Sequence, residues 1–373
     1  MHKLVLIFTI IFLLTINIAY STDSLFAPPV YYPTNCKSSS QLTSMCASDL
    51  DGDGDNDLVM ASRGASVLIN NGDGTFQHPV TYVSTSGSTS ITSVDLDKDN
   101  DNDLIYIYNG VYVMKNNGEG TFQPPDKYDA GYIPNTVIAA DFDNDGDNDL
   151  AVSIETSSVT KSGRGRILIL NNNGDGTFFQ ATEYFGNGSA HSMTAGDFDN
   201  DKNIDLAVVN AHANDVYILF NNSDGTFPQR DKLNYIEIGR SPQNIISTDY
   251  DNDKDPDLFV AVGFDKYIGI IKNKGNGDFA PLDKIDLIKT PWSICMNDFD
   301  GDSFDDLVVS FRDQISILKN KRDGTFEAWI DYKMANPTSL FSADFDGDGN
   351  NDLAVTTAVK DSVAIYINMI NSD

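Results

Sequence analysis

The residues best placed to do chemistry are aspartates at a fixed spacing. A segment of the type D-[LFY]-D-x-D-x-x-x-D-L begins at Asp49, Asp95, Asp141, Asp197, Asp249, Asp298 and Asp344. Each copy keeps carboxylates at its positions 1, 3, 5 and 9. In the first three copies these are Asp49, Asp51, Asp53 and Asp57, then Asp95, Asp97, Asp99 and Asp103, then Asp141, Asp143, Asp145 and Asp149. The fourth and fifth copies hold Asp197, Asp199, Asp201 and Asp205, then Asp249, Asp251, Asp253 and Asp257. The last two hold Asp298, Asp300, Asp302 and Asp306, then Asp344, Asp346, Asp348 and Asp352. Four carboxylates on a tight loop, with the carbonyl of position 7, approach the six to eight oxygens that calcium takes at about 2.3–2.6 Å. Magnesium keeps more waters in a stricter octahedron and fits less well. An EF-hand is excluded, because its position 12 needs a bidentate Glu, and here that position is Met60, Val152 or Val355. Like charges this close repel, so turn formation alone does not account for the sevenfold pattern. The reading is up to seven calcium ions in a structural role, since neutralised loops let the adjoining strands turn.

Departures between the copies grade this expectation. Position 7 becomes Asn203 in the fourth copy and Phe304 in the sixth, which matters little if only its carbonyl coordinates. Position 6 is Gly54, Gly146 and Gly349 in three copies but Asn100, Lys202, Lys254 and Ser303 in the others. If that turn requires positive φ, the non-glycine residues resist it, and copies four, five and six are expected to bind more weakly.

The loops must be positioned by repeating elements. Successive copies are 46, 46, 56, 52, 49 and 46 residues apart. Each has a short run such as NTVIAA (135–140), the loop, an apolar run such as DLAVSI (149–154), then RILIL (166–170). A turn of the NNNGDGTF type (171–178) and a segment rich in aromatics and proline complete the unit. Short β-rich runs punctuated by Asn, Gly and Asp read as strands and hairpins. Four strands per repeat and seven repeats of about 50 residues predict an all-β, seven-bladed β-propeller of four-stranded blades. The seventh copy stops after its third strand (362–373), whereas DSLFAPPVYYP (23–33) mimics EGTFQPPDKY (119–128). The N-terminal strand is therefore expected to close the last blade.

Composition agrees. Of 55 acidic residues 50 are Asp and only 5 are Glu, which favours turns over helices. A formal charge of −30 repels a phosphate backbone, so nucleic acid and anionic membrane surfaces are poor partners. Residues 1–21 carry Lys3, an apolar run from Leu4 to Leu14 and the small-x-small site Ala19-Tyr20-Ser21, and so read as a secretory signal peptide. No later stretch reaches membrane length, and residues 22–373 are expected to be exported or held at the cell surface. Of three cysteines, Cys36 and Cys46 lie close enough to pair after export, or all three are small buried residues.

Together, DFDNDGDNDLAV and NNNGDGTF resemble the FG-GAP and VCBS-type repeats, including those of the integrin alpha-chain propeller. The resemblance covers residues 23–373 and implies calcium on the lower face, with partner-binding loops on the opposite face. Some related propellers act as lectins and others are attached to enzymes.

Candidate ligand residues on that opposite face fall in two groups. Six residues before each loop stand Thr43, Thr89, Asn135, His191, Gln243, Trp292 and Thr338, expected near the axial opening. The third copy also carries the insertion ETSSVTKSGRGR (155–166), with Lys161, Arg164 and Arg166 as a basic island. A catalytic centre is hard to build: His78, His191 and His212 fall in different repeats, and no GxSxG, phosphate-binding glycine loop or HExxH occurs. The expected function is non-catalytic, an adhesion or ligand-binding module for a protein or glycan. A carbohydrate-binding lectin is the alternative, and a hydrolase or lyase comes third.

Overall fold

Second-strand sequences such as DLVMAS and DLFVAV have no polar alternation, so both faces of these strands must be covered. In the computed structural model, which describes residues 24–34, 44–83, 87–131, 133–155, 165–186, 188–228, 235–359 and 361–370, they are. Every residue is buried in Asp57–Ser62, Asp103–Ile107, Asp149–Ile154, Asp205–Asn210, Asp257–Val262, Asp306–Ser310 and Asp352–Thr357. The strands form seven four-stranded antiparallel sheets arranged as the blades of a propeller, with no helix among the described residues.

Blade three shows the plan: Pro134–Ala140 innermost, then Asp149–Ile154, Arg166–Asn172 and Phe178–Phe185 outermost. The core lies between blades. Seven hydrophobic clusters each join two consecutive blades, from Leu104 of blade two with Val59 of blade one to Phe345 of blade seven with Leu58 of blade one. Aromatic residues of the repeat meet across these boundaries, as Phe76 does with Phe345 at 5.6 Å and Phe227 with Phe142 at 5.8 Å. Where seven inner strands converge, side chains beside the loops stay small, and Ser48 bonds Ser93 at 2.8 Å across two blades.

Closure follows the sequence expectation. Val30–Pro33 pairs antiparallel with Ser362–Tyr366 as the outer strand of the last blade. Phe26, 1% exposed, bridges to Asn368 as Phe76 bridges to Asn70 within blade one. An element from one end of the chain thus takes a place that other blades fill locally. Residues 1–21, Cys36, Thr43, Lys161 and Arg164 lie outside the described residues. Cys46 is a free thiol on the strand Met45–Ser48, and burial pushes its pKa up to about 12.

Candidate metal centre

Each aspartate loop joins the first strand of its blade to the second, so all seven emerge at the same end of the propeller. The loop folds around its own carboxylates. The position 1 carboxylate accepts the position 6 N–H in every copy, for example Gly54 to Asp49 at 3.0 Å and Lys254 to Asp249 at 2.9 Å. The position 5 carboxylate accepts the position 7 N–H in every copy at 2.8–3.1 Å, whatever the position 7 side chain.

This geometry answers the question raised at position 6. Asn100, Lys202, Lys254 and Ser303 take φ of 71°, 73°, 77° and 68°, joining the glycines in the left-handed region. Position 4 is left-handed as well, with φ of 63° at Lys98 and 60° at Asn144. A non-glycine residue there costs roughly 1–2 kcal/mol, yet the backbone and its inward N–H bonds are the same in every copy. Position 6 therefore does not distinguish the loops by conformation.

Position 9 behaves differently from the other three. Asp57, Asp103, Asp149, Asp205, Asp257, Asp306 and Asp352 are at most 1% exposed. One oxygen of each accepts the main-chain N–H of an asparagine at the end of the third strand, at 2.6–2.8 Å. In all but Asp257 the other oxygen accepts the position 2 N–H; the second oxygen of Asp257 is buried with no hydrogen-bond partner. Burial raises these carboxyls to about 6 in Asp57, Asp103 and Asp149, and to about 7 in Asp205, Asp257, Asp306 and Asp352.

The same asparagines were missed as functional residues in the sequence. Asn70, Asn116, Asn172, Asn221, Asn273, Asn320 and Asn368 are at most 4% exposed. Each side-chain amide donates to the position 2 carbonyl of the preceding blade's loop at 2.7–3.1 Å, with Asn70 of blade one reaching Phe345 of blade seven. It also donates to the position 8 carbonyl of its own loop at 3.0–3.2 Å. A ring of seven clasps links the loops blade to blade. Asn221-Asn222-Ser223 and Asn187-Gly188-Ser189 match the N-x-S glycosylation pattern. Burial of Asn221 in its clasp closes the first in the folded chain, and Asn187 lies outside the described residues.

The remaining carboxylates suit a cation. Asp49, Asp51 and Asp53, and likewise Asp95, Asp97 and Asp99, bring one oxygen each within 4.8 Å of one another. In blades three, four and five positions 1, 3 and 9 converge in the same way. Oxygens this far apart can share an ion at about 2.3–2.6 Å. The inner oxygens of Asp51, Asp97, Asp251 and Asp300 are buried without a hydrogen-bond donor, an arrangement a hard cation would satisfy. Burial, and then the charge of Asp53, Asp145 or Asp348, holds Asp51, Asp143 and Asp346 above the usual carboxylate range.

Three blades differ in their counter-charge. The residue before the clasp asparagine is Lys115, Lys272 or Lys319 in blades two, five and six. These ammonium groups contact the position 3 carboxylate: Lys115 with Asp97 at 3.1 Å, Lys272 with Asp251, and Lys319 with Asp300. Lys272 also lies 3.2 Å from Asp253, and Arg322 2.9 Å from Asp302. In blades one, three, four and seven the corresponding residue is Ile69, Asn171, Phe220 or Ile367.

At the other end, the axial residues divide. Asn135 donates to the His191 carbonyl and lies 3.3 Å from His191 Nδ1, and burial lowers the His191 pKa. Gln243 turns back onto Ser241 at 2.7 Å, and Thr338 meets Thr356 at 2.8 Å. Trp292 lines a separate cleft on blades five and six. Arg166 is neutralised by Glu183 at 3.0 Å. A 400 Å³ channel between the inner strands is lined by Ser44, Ser247, Ser293 and Met296 among others.

Repeated aspartate loops on one end of a closed ring define a loop-bearing β-propeller, and the comparisons place the chain more narrowly. The FG-GAP-like repeat family matches residues 49–106, 95–152, 156–208, 197–260, 249–309 and 298–355. The chain belongs to that family. Nothing matches among curated protein sequences. Among solved structures, BBS1N in complex with ARL6DN superposes with a TM-score of 0.65 at 14% identity, covering 94% of this chain and 99% of that one. An Agrocybe aegerita lectin, described for recognition of non-reducing terminal N-acetylglucosamine, gives 0.58 at 19% identity, with 86% of each chain covered. Identities this low establish the shared propeller fold.

Proposed function

We propose that this chain is an exported, non-catalytic ligand-binding propeller whose aspartate loops are stabilised by calcium. The observation that carries the reading is the division of the two ends. One end repeats a single cation-ready loop with the same internal bonds in every blade, whereas the other carries turns and connectors that differ from blade to blade. Invariant ends serve the scaffold and variable loops serve recognition. The solved relatives support binding as a use of this fold, since one is a complex with a protein and another a lectin. Against the expectation of three different repeats, His191 and His212 share blade four and only His78, on blade one, stands apart. None of the three belongs to a GxSxG or HExxH motif, which supports a non-catalytic reading. Residues 1–21 support export.

The test is a melting curve of metal-stripped protein with and without calcium. Calcium at tenfold above its dissociation constant contributes about 1.4 kcal/mol per occupied site, so several sites raise Tm by several degrees. An unchanged curve together with no calcium uptake refutes the metal reading. Retention of the uncleaved chain inside the cell refutes export.

A further inference from the structure

Lys266, Lys289, Arg312 and Lys333 line one cleft of 910 Å³ with Trp292, on the end opposite the aspartate loops. Lys266 and Arg312 lie on the turns between second and third strands of blades five and six. Lys289 lies on the connector into blade six, and Lys333 ends the outer strand of that blade. In a chain with 25 basic and 55 acidic residues, four cations meet a single lining acid, Asp313. Lys289 already binds Asp313 at 2.8 Å. The charged heads of Lys266, Arg312 and Lys333 pair with no carboxylate among the described residues. Cations gathered against a net charge of −30 make a local site for a short anion, because an extended polyanion would meet the acidic remainder of the surface.

We infer that this cleft binds an acidic oligosaccharide, one carrying carboxylate or sulfate groups. The inference rests on the ligand-binding reading above and names the ligand class. Arg312 offers a planar fork matched to carboxylate and sulfate oxygens, while Lys266 and Lys333 add point charges. Half-buried Trp292 supplies an apolar ring for the face of a sugar, and Thr290 and Asn336 supply hydroxyl-bonding groups. The cleft volume lies at the upper end of small-ligand sites, about 300–1,000 Å³, which accommodates several sugar rings. An acidic peptide would use the same cations but gains less from the indole.

The test uses the calcium-loaded chain carrying Trp329→Phe, which leaves Trp292 as the sole tryptophan. Its fluorescence is followed against tetragalacturonate, a heparin-derived tetrasaccharide, neutral chitotetraose and hexaglutamate. Saturable change is expected with one or both acidic sugars, and the two arms separate carboxylate from sulfate recognition. Chitotetraose and hexaglutamate should bind at least tenfold more weakly. Arg312→Gln with Lys333→Gln should weaken the acidic sugar tenfold or more at an unchanged melting temperature. Equal binding of chitotetraose, tighter binding of hexaglutamate, silence with every probe, or indifference to the double substitution each overturns the inference. None of these outcomes alters calcium-dependent melting, so failure here is distinguishable from failure of the scaffold reading.

Discussion

Replacing Asn116 by alanine tests whether the clasp ring holds the blades together. The Asn116 amide donates to Leu50 O of blade one at 2.8 Å and to Asn102 O of its own loop at 3.0 Å, and its oxygen accepts the Gly118 N–H at 3.1 Å. Leu50 O keeps a second donor, Gly120 N at 2.9 Å, so it is not fully stripped. At about 1 kcal/mol net for each of three buried bonds, the substitution should cost about 3 kcal/mol. Unfolding entropy of about 2.1 cal/mol/K per residue over roughly 350 residues converts this to a fall in Tm of about 4 °C. The control stands next door. Asn117 is exposed and bonds only Thr121, and an exposed site of this kind should move stability by less than about 0.5 kcal/mol. Scanning calorimetry of both variants in saturating calcium decides the matter. If Asn116→Ala melts within 1 °C of Asn117→Ala, the clasps contribute nothing to blade cohesion and the reasoning fails.

Three further outcomes follow from the same structure. Calorimetric titration of stripped protein should fill blades one, three, four and seven before the lysine-bearing blades, and Lys272→Met should add one ion to the tight class; an unchanged stoichiometry and affinity would refute the lysine argument. Phe26→Ala removes a ring that is 1% exposed and packs edge-on to Phe299 and Tyr366, so it should cost about 3–5 kcal/mol and lower Tm by about 4–7 °C. A wild-type melting temperature would mean that the N-terminal segment does not close the ring. Burial lowers the His191 pKa, opposed by Glu155 and reinforced by His212, so the folded state binds fewer protons than the unfolded one below about pH 6.5. Stability from this group is present at pH 7.5 and declines as pH falls toward the lowered value. The calcium-loaded wild type should therefore lose more Tm than His191→Gln between pH 7.5 and 5.5, and parallel losses would refute it.

The fold was legible because seven copies repeat the same strand and turn grammar, and because DSLFAPPVYYP carries the aromatic and proline pattern missing after the last copy. The clasp asparagines were less visible, since Asn in an NNGDGTF turn is ordinarily read as a turn former. Their signal lay in comparing copies: the second residue of the turn varies, becoming Lys274, Lys321 and Met369, while Asn273, Asn320 and Asn368 stay. The lysine counter-charges were not legible at all. Whether Lys272 reaches Asp251 depends on strand register, which spacing along the chain does not give.

The two ends also differ in how sequence encodes them. On the loop end, partners lie within one repeat or the next, so repetition reveals them. In the basic cleft, Lys266, Lys289, Arg312 and Lys333 come from four separate segments, each a single cation in an acidic neighbourhood. Single positions recur, as Arg63 of blade one matches Arg312 and Arg240 ahead of blade five matches Lys289, but the set of four does not. Their convergence exists only once blades five and six stand side by side. A propeller can therefore keep its scaffold under strict sevenfold constraint while recognition changes one connector at a time. That separation explains why the aspartate loops are legible residue by residue in the sequence, whereas of the cleft only Trp292 is.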